Sequence, residues 1–199
     1  MADLDDLSEL VRDWQRSLKS ENKAPRTIVV YGDAAAALLG YLRERELSTR
    51  IGDVSHRELR EFFTHEATRP NQRKPEQTVS PAFVQQRYRA LQSLFKWLVT
   101  EGEIEVSPFV KLTPPAVPEQ PVPLLTDEQL ISLLGTCGGV TFVDRRDAAI
   151  IRLFVDSGLR VSELTGLTVD DLDFDNDTVI VMGKGRRPRA APFGNKTGE

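Results

Sequence analysis

The sequence predicts a mainly α-helical first part and a smaller α+β second part. Apolar side chains recur at helical spacing through the first hundred residues. Residues 114–123 contain five prolines, and such a run is extended and semi-rigid because proline fixes φ and lacks an amide donor. The β-branched run Thr178–Met182 precedes a glycine-rich turn, which favours a small β-hairpin. We therefore predict a helical domain over 1–113, a linker over 114–124, and an α+β part over 125–199.

The first part divides into four predicted helices. The first has apolar residues at positions 7, 10, 11, 14 and 18, and the second begins at Pro25. Ser55 and Glu58 form a capping box that starts the third helix. Residues 67–79 are polar, contain two prolines and predict a loop. Ser80 and Pro81 then start the fourth helix, which Gly102 closes.

The fourth helix has two distinct faces. Its apolar face would pack against the other helices and consists of Val84, Tyr88, Leu91, Leu94, Phe95 and Leu98. Its polar face could meet a partner and consists of Gln85, Gln86, Arg89, Gln92, Ser93 and Lys96.

The second part begins with a capping box at residues 126–129. A helix over 144–156 should end at Gly158, and a short helix over 161–165 should end at Gly166. The hairpin follows, with the strand Thr178–Met182, a turn over 183–188 and a possible return strand over 189–193.

Composition excludes several classes of protein. The 199 residues carry a net charge of −4, and no apolar run approaches the roughly 20 residues of a membrane span. Cys137 is the only cysteine, which excludes an internal disulfide and a cysteine-rich zinc site. A reducing cytoplasm is the compartment we expect. The acidic N-terminus is not typical of a signal or transit peptide.

The charges are unevenly distributed. Residues 170–177 hold five aspartates, and residues 184–196 hold five basic side chains without an acid. Charge alone favours solvated faces over binding patches. The aspartate-rich segment lacks the glycine and the glutamate of a calcium loop, and residues 183–186 lack the spacing of a P-loop. We predict no metal site.

Two basic residues could carry chemistry. Arg160 and Glu163 are spaced i, i+3 on a predicted helix, and the apolar neighbours of Arg160 suggest a partly buried guanidinium that needs an acidic or phosphate partner. The alternative is an ordinary surface ion pair. Lys184 lies between two glycines, and a solvated turn lysine is its alternative. The nearby Arg186, Arg187 and Arg189 favour a phosphate partner.

The order of these features resembles the tyrosine recombinases of the phage integrase and Xer group. The segment Gly158-Leu-Arg-Val-Ser-Glu-Leu followed by Gly183-Lys-Gly-Arg-Arg-Pro-Arg resembles the family's GLRxSEL helix and GKGxKxR hairpin. The helical part resembles its SAM-like core-binding domain, with Ser107 in place of the asparagine in a G-x-I-x-x-N-P turn. The resemblance covers nearly the whole chain.

The resemblance implies site-specific DNA recombination or integration through a phosphotyrosine intermediate, without a cofactor. Arg160 would bind the scissile phosphate, Glu163 would orient Arg160, and Lys184 would act as general acid. Expected partners are double-stranded DNA and further recombinase subunits, four in the complete family member. The candidate DNA contacts are Arg26, Thr27, Gln85, Gln86, Arg87, Arg89, Lys96, Arg186, Arg187 and Arg189.

The sequence departs from the family pattern after the hairpin. The family needs a His-x-x-Arg and a late nucleophilic tyrosine, whereas Tyr31, Tyr41 and Tyr88 all lie in the helical part. The chain alone is therefore expected to be inactive, as an N-terminal piece or a truncated relative. The alternative function is a DNA-binding relative that occupies recombination sites or modulates an intact recombinase. A helical protein–protein module without a DNA role is a third, weaker possibility.

Overall fold

The computed structural model describes residues 6–119, 121–183 and 187–198. The chain divides into two compact units, Met1–Gln120 and Pro121–Glu199. The division falls within the proline-rich segment. Each unit has its own hydrophobic core.

The first unit is built from four α-helices, as the apolar periodicity predicted. They are α1 (Leu7–Ser20), α2 (Pro25–Glu44), α3 (His56–Thr68) and α4 (Pro81–Thr100), with 3-10 turns at Ile51–Asp53 and Pro108–Lys111. The predicted start signals are confirmed. Ser55 accepts a hydrogen bond from Arg57 N while Glu58 accepts one from Ser55 N, and Ser80 accepts one from Phe83 N. Each bond satisfies an amide that the helix leaves unpaired at its start.

Helix α4 lies at the centre of the first core. Leu91, Leu94 and Phe95 on its apolar face are fully buried. Phe109, from the 3-10 turn, packs against Tyr88 and Phe95 with ring centroids 5.0 and 5.4 Å away. The polar face of α4 consequently faces solvent or the loops around it.

The second unit contains four helices and a three-stranded antiparallel sheet within the described residues. The helices are α5 (Asp127–Gly135), α6 (Phe142–Ser157), α7 (Val161–Leu164) and α8 (Asn195–Gly198). The strands are β1 (Leu172–Asp173), β2 (Thr178–Met182) and β3 (Pro188–Pro192), in the order β1-β2-β3. The predicted capping box is confirmed, because Thr126 and Gln129 exchange hydrogen bonds at the start of α5.

The sheet differs from the predicted hairpin in two ways. Strand β1 adds a third member, because Leu172 pairs with Val179 and Asp173 with Thr178. It lies in the aspartate-rich segment, where composition predicted only a connection. The return strand also begins one residue earlier than predicted, because Pro188 pairs with Met182.

The core of the second unit forms on one face of this sheet. Val179 and Val181 of β2 are buried while Ile180 and Met182 are exposed, which is the alternation of a half-buried strand. Ala191, Phe193 and Leu159 complete the buried cluster. This core therefore fixes which face of β3 points inward. Across both units, none of the described helices is long and apolar enough to cross a membrane.

Replacing Leu91 with alanine should destabilise the first unit by about 2–5 kcal/mol, because it leaves a cavity in a closed core. Both tryptophans, Trp14 and Trp97, lie in this unit, so urea unfolding followed by tryptophan fluorescence reports on it selectively. Val29→Ala is the matched control, because Val29 lies on α2 with half of its surface exposed. A similar small effect of both variants would contradict the assigned core.

Candidate phosphate and DNA-binding sites

A buried carboxylate organises the candidate site of the second unit. The Glu163 side chain is 3% exposed. Its Oε2 accepts hydrogen bonds from Arg160 N (2.8 Å) and Arg189 Nη2 (2.9 Å), and its Oε1 accepts one from Arg160 Nη1 (2.8 Å). One acid therefore holds two arginines that lie 29 positions apart in the chain.

Local backbone structure places Arg160 beside Glu163. Gly158 ends α6 with φ of +58°, a conformation that glycine adopts without strain. The chain turns there, Leu159 enters the core, and Arg160 becomes the N-cap of α7. Glu163 is the third residue of that helix, so its carboxylate can reach back to the Arg160 amide, as in a capping box.

The structure corrects two expectations about this pair. Arg160 precedes α7 instead of lying on it, because its backbone has extended dihedral angles. Its side chain is 64% exposed, so the predicted partly buried arginine is wrong. The buried member of the pair is Glu163, because the capping bond turns the carboxylate inward and leaves the long guanidinium side chain outside.

Strand alternation explains how Arg189 reaches the same acid. Residues 189 and 191 point to the same face of β3, and Ala191 is buried in the core. Arg189 pairs with the buried Val181 across the ladder, so its side chain also starts from the inner face. The hydrogen bond to Glu163 therefore connects β3 with the start of α7.

These hydrogen bonds keep Glu163 ionised. The Arg160 amide, followed by the Arg189 guanidinium, lowers the pKa of Glu163 from 4.5 to about 2. At neutral pH the carboxylate therefore offers a full negative charge to both arginines, which fixes their positions without neutralising their combined charge.

A cleft of about 530 Å³ opens beside this cluster. It is lined by Gly158, Arg160, Gly183, Arg187, Pro188 and Arg189. The exposed Arg187 lies where the hairpin closes, since Gly183 N donates to Arg187 O over 2.8 Å. Three guanidinium groups thus border one cleft, which suits a phosphate. The predicted Lys184 and Arg186 lie outside the described residues.

A second site lies on the first unit, where the starts of α2 and α4 meet. A groove of about 740 Å³, hereafter the α2–α4 groove, brings together Arg26 and Thr27 from α2 with Gln86 and Arg89 from α4. Tyr31 and Phe83 lie among its apolar lining. Gln85 lines the groove as well, so the structure assembles five predicted DNA contacts from two helices that are far apart in sequence.

The other candidates on α4 are placed differently. Gln85 also lines this groove, but it is partly buried and its Nε2 donates to Pro115 O over 3.1 Å. Arg87 is only 15% exposed, and its Nη1 lies 3.0 Å from Glu66 Oε2. Lys96 is exposed on α4 and lines a neighbouring cavity that it shares with Arg89. Gln85 and Arg87 therefore serve internal contacts, while Lys96 continues the exposed polar face.

The cluster that holds Arg87 was hardly predictable from the sequence. Glu66, which is 4% exposed, also binds Arg69, with the Arg69 Nε 3.3 Å from its Oε1. The Arg87 guanidinium lies over the Phe83 ring at 4.9 Å, and burial lowers the pKa of Arg87. The i, i+3 spacing of Glu66 and Arg69 was the one available signal. Among the described residues, no group of three His, Cys, Asp or Glu side chains could hold a metal ion.

Two family models match the two units separately. The model described as "Phage integrase, N-terminal SAM-like domain" matches residues 10–103, and the model of the phage integrase family matches residues 123–199. The two matches lie on either side of the proline-rich segment. Together they define a protein of the phage integrase class.

Curated relatives name the group within that class. The tyrosine recombinase XerC of Oceanobacillus iheyensis is 33% identical over 176 residues, which cover 88% of this chain and 54% of the relative. XerC of Pseudomonas syringae pv. tomato is 33% identical over 182 residues, covering 90% and 57%. This chain belongs to the tyrosine recombinase family, and it spans about half the length of the curated relatives it matches.

Solved structures show the same fold. The lambda integrase tetramer bound to a Holliday junction matches with a TM-score of 0.68 at 16% identity, over 94% of this chain and 50% of that one. The Tn1549 transposon integrase in complex with transposon right-end DNA matches with a TM-score of 0.68 at 21% identity, over 97% and 62%. At these identities the likeness concerns the fold alone.

Glu163→Gln should destabilise the second unit at neutral pH, because the amide cannot replace the charge that both arginines bind. Because the pKa of Glu163 is lowered in the folded state, the ionised side chain stabilises the fold fully at pH values above its ordinary pKa of 4.5. This stabilisation is lost as the pH falls towards the folded-state pKa of about 2. The difference between the two proteins should therefore shrink between pH 4.5 and 2. Urea unfolding monitored by the NMR signals of β2 amides measures it, and a difference that stays constant with pH would contradict the assignment.

Proposed function

We propose that this chain provides the DNA-binding and phosphate-clamping parts of a site-specific tyrosine recombinase. The observation that carries the proposal is the buried Glu163 carboxylate, which holds Arg160 and Arg189 at the edge of an arginine-lined cleft. The α2–α4 groove supplies a second basic and polar surface for duplex DNA.

Arg160 is suited to bind the phosphate at which a strand is cut. Glu163 engages its backbone amide and Nη1, while most of the side chain remains exposed. The other guanidinium donors make no hydrogen bond with the residues the structure describes. They can therefore bind the phosphoryl oxygens and stabilise the charge that develops during transfer. Preorientation by Glu163 lowers the cost of holding this geometry.

Lys184 would protonate the 5′ oxygen that leaves when the strand is cut. This role rests on the family's hairpin motif, because Lys184 lies outside the described residues. An ordinary lysine has a pKa of about 10.4 and is a weak acid at neutral pH. A positive charge beside this lysine would favour proton release.

The second candidate function is a DNA-binding relative that occupies recombination sites or modulates an intact recombinase. The placement of the tyrosines favours it for this stretch of sequence. Tyr41 and Tyr88 are buried, the Tyr88 hydroxyl donates to Leu112 O, and Tyr31 stacks on Trp14. All three tyrosines belong to the helical first unit and not to the late position that the family's nucleophile occupies, so the nucleophile of the first function would come from other residues.

Assembly on DNA follows from the same proposal. The lambda integrase neighbour is a tetramer on a Holliday junction, and we infer that subunits of the complete recombinase meet in a comparable way on paired sites. We further infer that the protein works where cellular DNA is kept, which is the cytoplasm in bacteria such as those of the curated relatives.

The chain should bind duplex DNA in a salt-dependent way, because each neutralised phosphate releases counterions. Fluorescence anisotropy with a labelled duplex across a salt series should give a log–log slope of about −0.9 per phosphate contact. Arg160→Ala should make this slope less steep by about one contact, whereas Arg87→Lys should leave it unchanged, because Arg87 is engaged by Glu66. If the anisotropy shows no duplex binding at low salt, both candidate functions are excluded and a protein–protein module is favoured.

In a complete recombinase carrying this sequence, Arg160→Lys should preserve folding but abolish strand cleavage, because an ammonium group cannot make the two-point contact of a guanidinium. Cleavage assays on a radiolabelled site, with circular dichroism as the folding control, measure this. Lys184→Ala should also lose cleavage, and a substrate with a better 5′ leaving group should restore it. Retained cleavage by Arg160→Lys, or no restoration for Lys184→Ala, would contradict the respective role.

A further inference from the structure

Helix α4 carries two pairs of like side chains whose members have different surroundings. Gln85 and Gln86 are neighbours in sequence, and so nearly are Arg87 and Arg89. One member of each pair is used inside the first unit, and the other is exposed in the α2–α4 groove. This division narrows the set of residues that can read DNA.

The internal members are held by specific contacts. The Gln85 Nε2 donates to Pro115 O over 3.1 Å, which uses one of its two N–H donors and ties the side chain to the chain that follows α4. Arg87 is paired with the buried Glu66 and stacked on Phe83. Turning either side chain towards a base would move it away from a partly buried partner, Pro115 O for Gln85 and the Glu66 carboxylate for Arg87.

The other members are available. Gln86 and Arg89 are both exposed. Neither side chain makes a hydrogen bond or ion pair with any part of the chain that the structure describes. They lie three residues apart on one helix face, which is a rise of about 4.5 Å. That distance is close to the ~3.4 Å spacing of successive base pairs, so the two side chains can address neighbouring positions in a major groove.

We propose that Gln86 and Arg89 are the base-reading residues of the first unit. Together they select an adenine and a guanine that lie one or two base-pair positions apart. A glutamine amide matches the N6 and N7 edge of adenine, and a guanidinium matches the O6 and N7 edge of guanine. Arg26 and Thr27, across the groove on α2, contact the DNA backbone and fix the position of α4 along the duplex. The inference rests on the proposed DNA-binding function and adds the sequence that it prefers.

Selection of duplexes from a randomised library by the intact 199-residue chain tests this. The enriched sites should share an A·T pair and a G·C pair one or two positions apart. Gln86→Ala should abolish the preference at the A·T pair and keep that at the G·C pair, and Arg89→Ala should do the reverse. Measured affinities should show discrimination of about 5- to 150-fold lost at the corresponding pair only. Gln85→Ala is the matched comparison and should leave both preferences in place.

The outcomes separate the inference from the function beneath it. If the wild-type chain retains no duplex at low salt, the proposed function fails, and this inference with it. If it binds duplexes without any shared sequence, or if Gln86→Ala keeps the A·T preference, DNA binding stands and the inference is overturned. Loss of the same preference in Gln85→Ala would also overturn it. Circular dichroism and thermal unfolding confirm that all variants are folded, as expected for changes outside the core.

Discussion

The candidate phosphate site depends on one interaction, the burial of the Glu163 carboxylate among three donors. Moving a carboxylate out of water is costly unless charge and hydrogen bonds compensate it. The Arg160 amide, the Arg160 guanidinium and the Arg189 guanidinium together supply that compensation. Because these donors come from the start of α7 and from β3, the arrangement depends on the packing of the helix against the hairpin. The candidate cleft therefore depends on the tertiary structure of the second unit.

The first unit also contains a buried acid that binds two arginines, but there Arg87 is largely buried as well. Glu66 is a buried acid that binds Arg69 and Arg87, just as Glu163 binds Arg160 and Arg189. The difference lies in the arginines. Arg87 is 15% exposed and packs on Phe83, whereas Arg160 is 64% exposed and borders an open cleft. The same kind of buried acid thus holds one arginine inside the first unit and leaves another open to solvent in the second.

Much of the fold could be predicted because local signals and tertiary structure agree. Ser55, Ser80 and Thr126 cap the helices that their spacing predicted, and Thr178–Met182 forms the predicted strand. Strand β1 could not be predicted, because two residues beside an aspartate-rich turn carry no strand signal until β2 pairs with them. Spacing also showed that Arg160 and Glu163 could meet, but not which one is buried. That depends on the capping bond and on Arg189, which is distant in sequence.

Tertiary contacts change the point at which the proline-rich linker predicted from composition begins. Its predicted start at residue 114 lies within a stretch held against α4, because Tyr88 donates to Leu112 O and Gln85 to Pro115 O. The chain therefore leaves the first unit beside the α2–α4 groove, where Pro115 is held, and not at Lys111, where the last 3-10 turn ends. The free part of the linker is therefore shorter than composition predicted. The neighbouring Gln85 and Gln86 thus differ, because the first holds the chain that follows α4 whereas the second remains exposed in the groove.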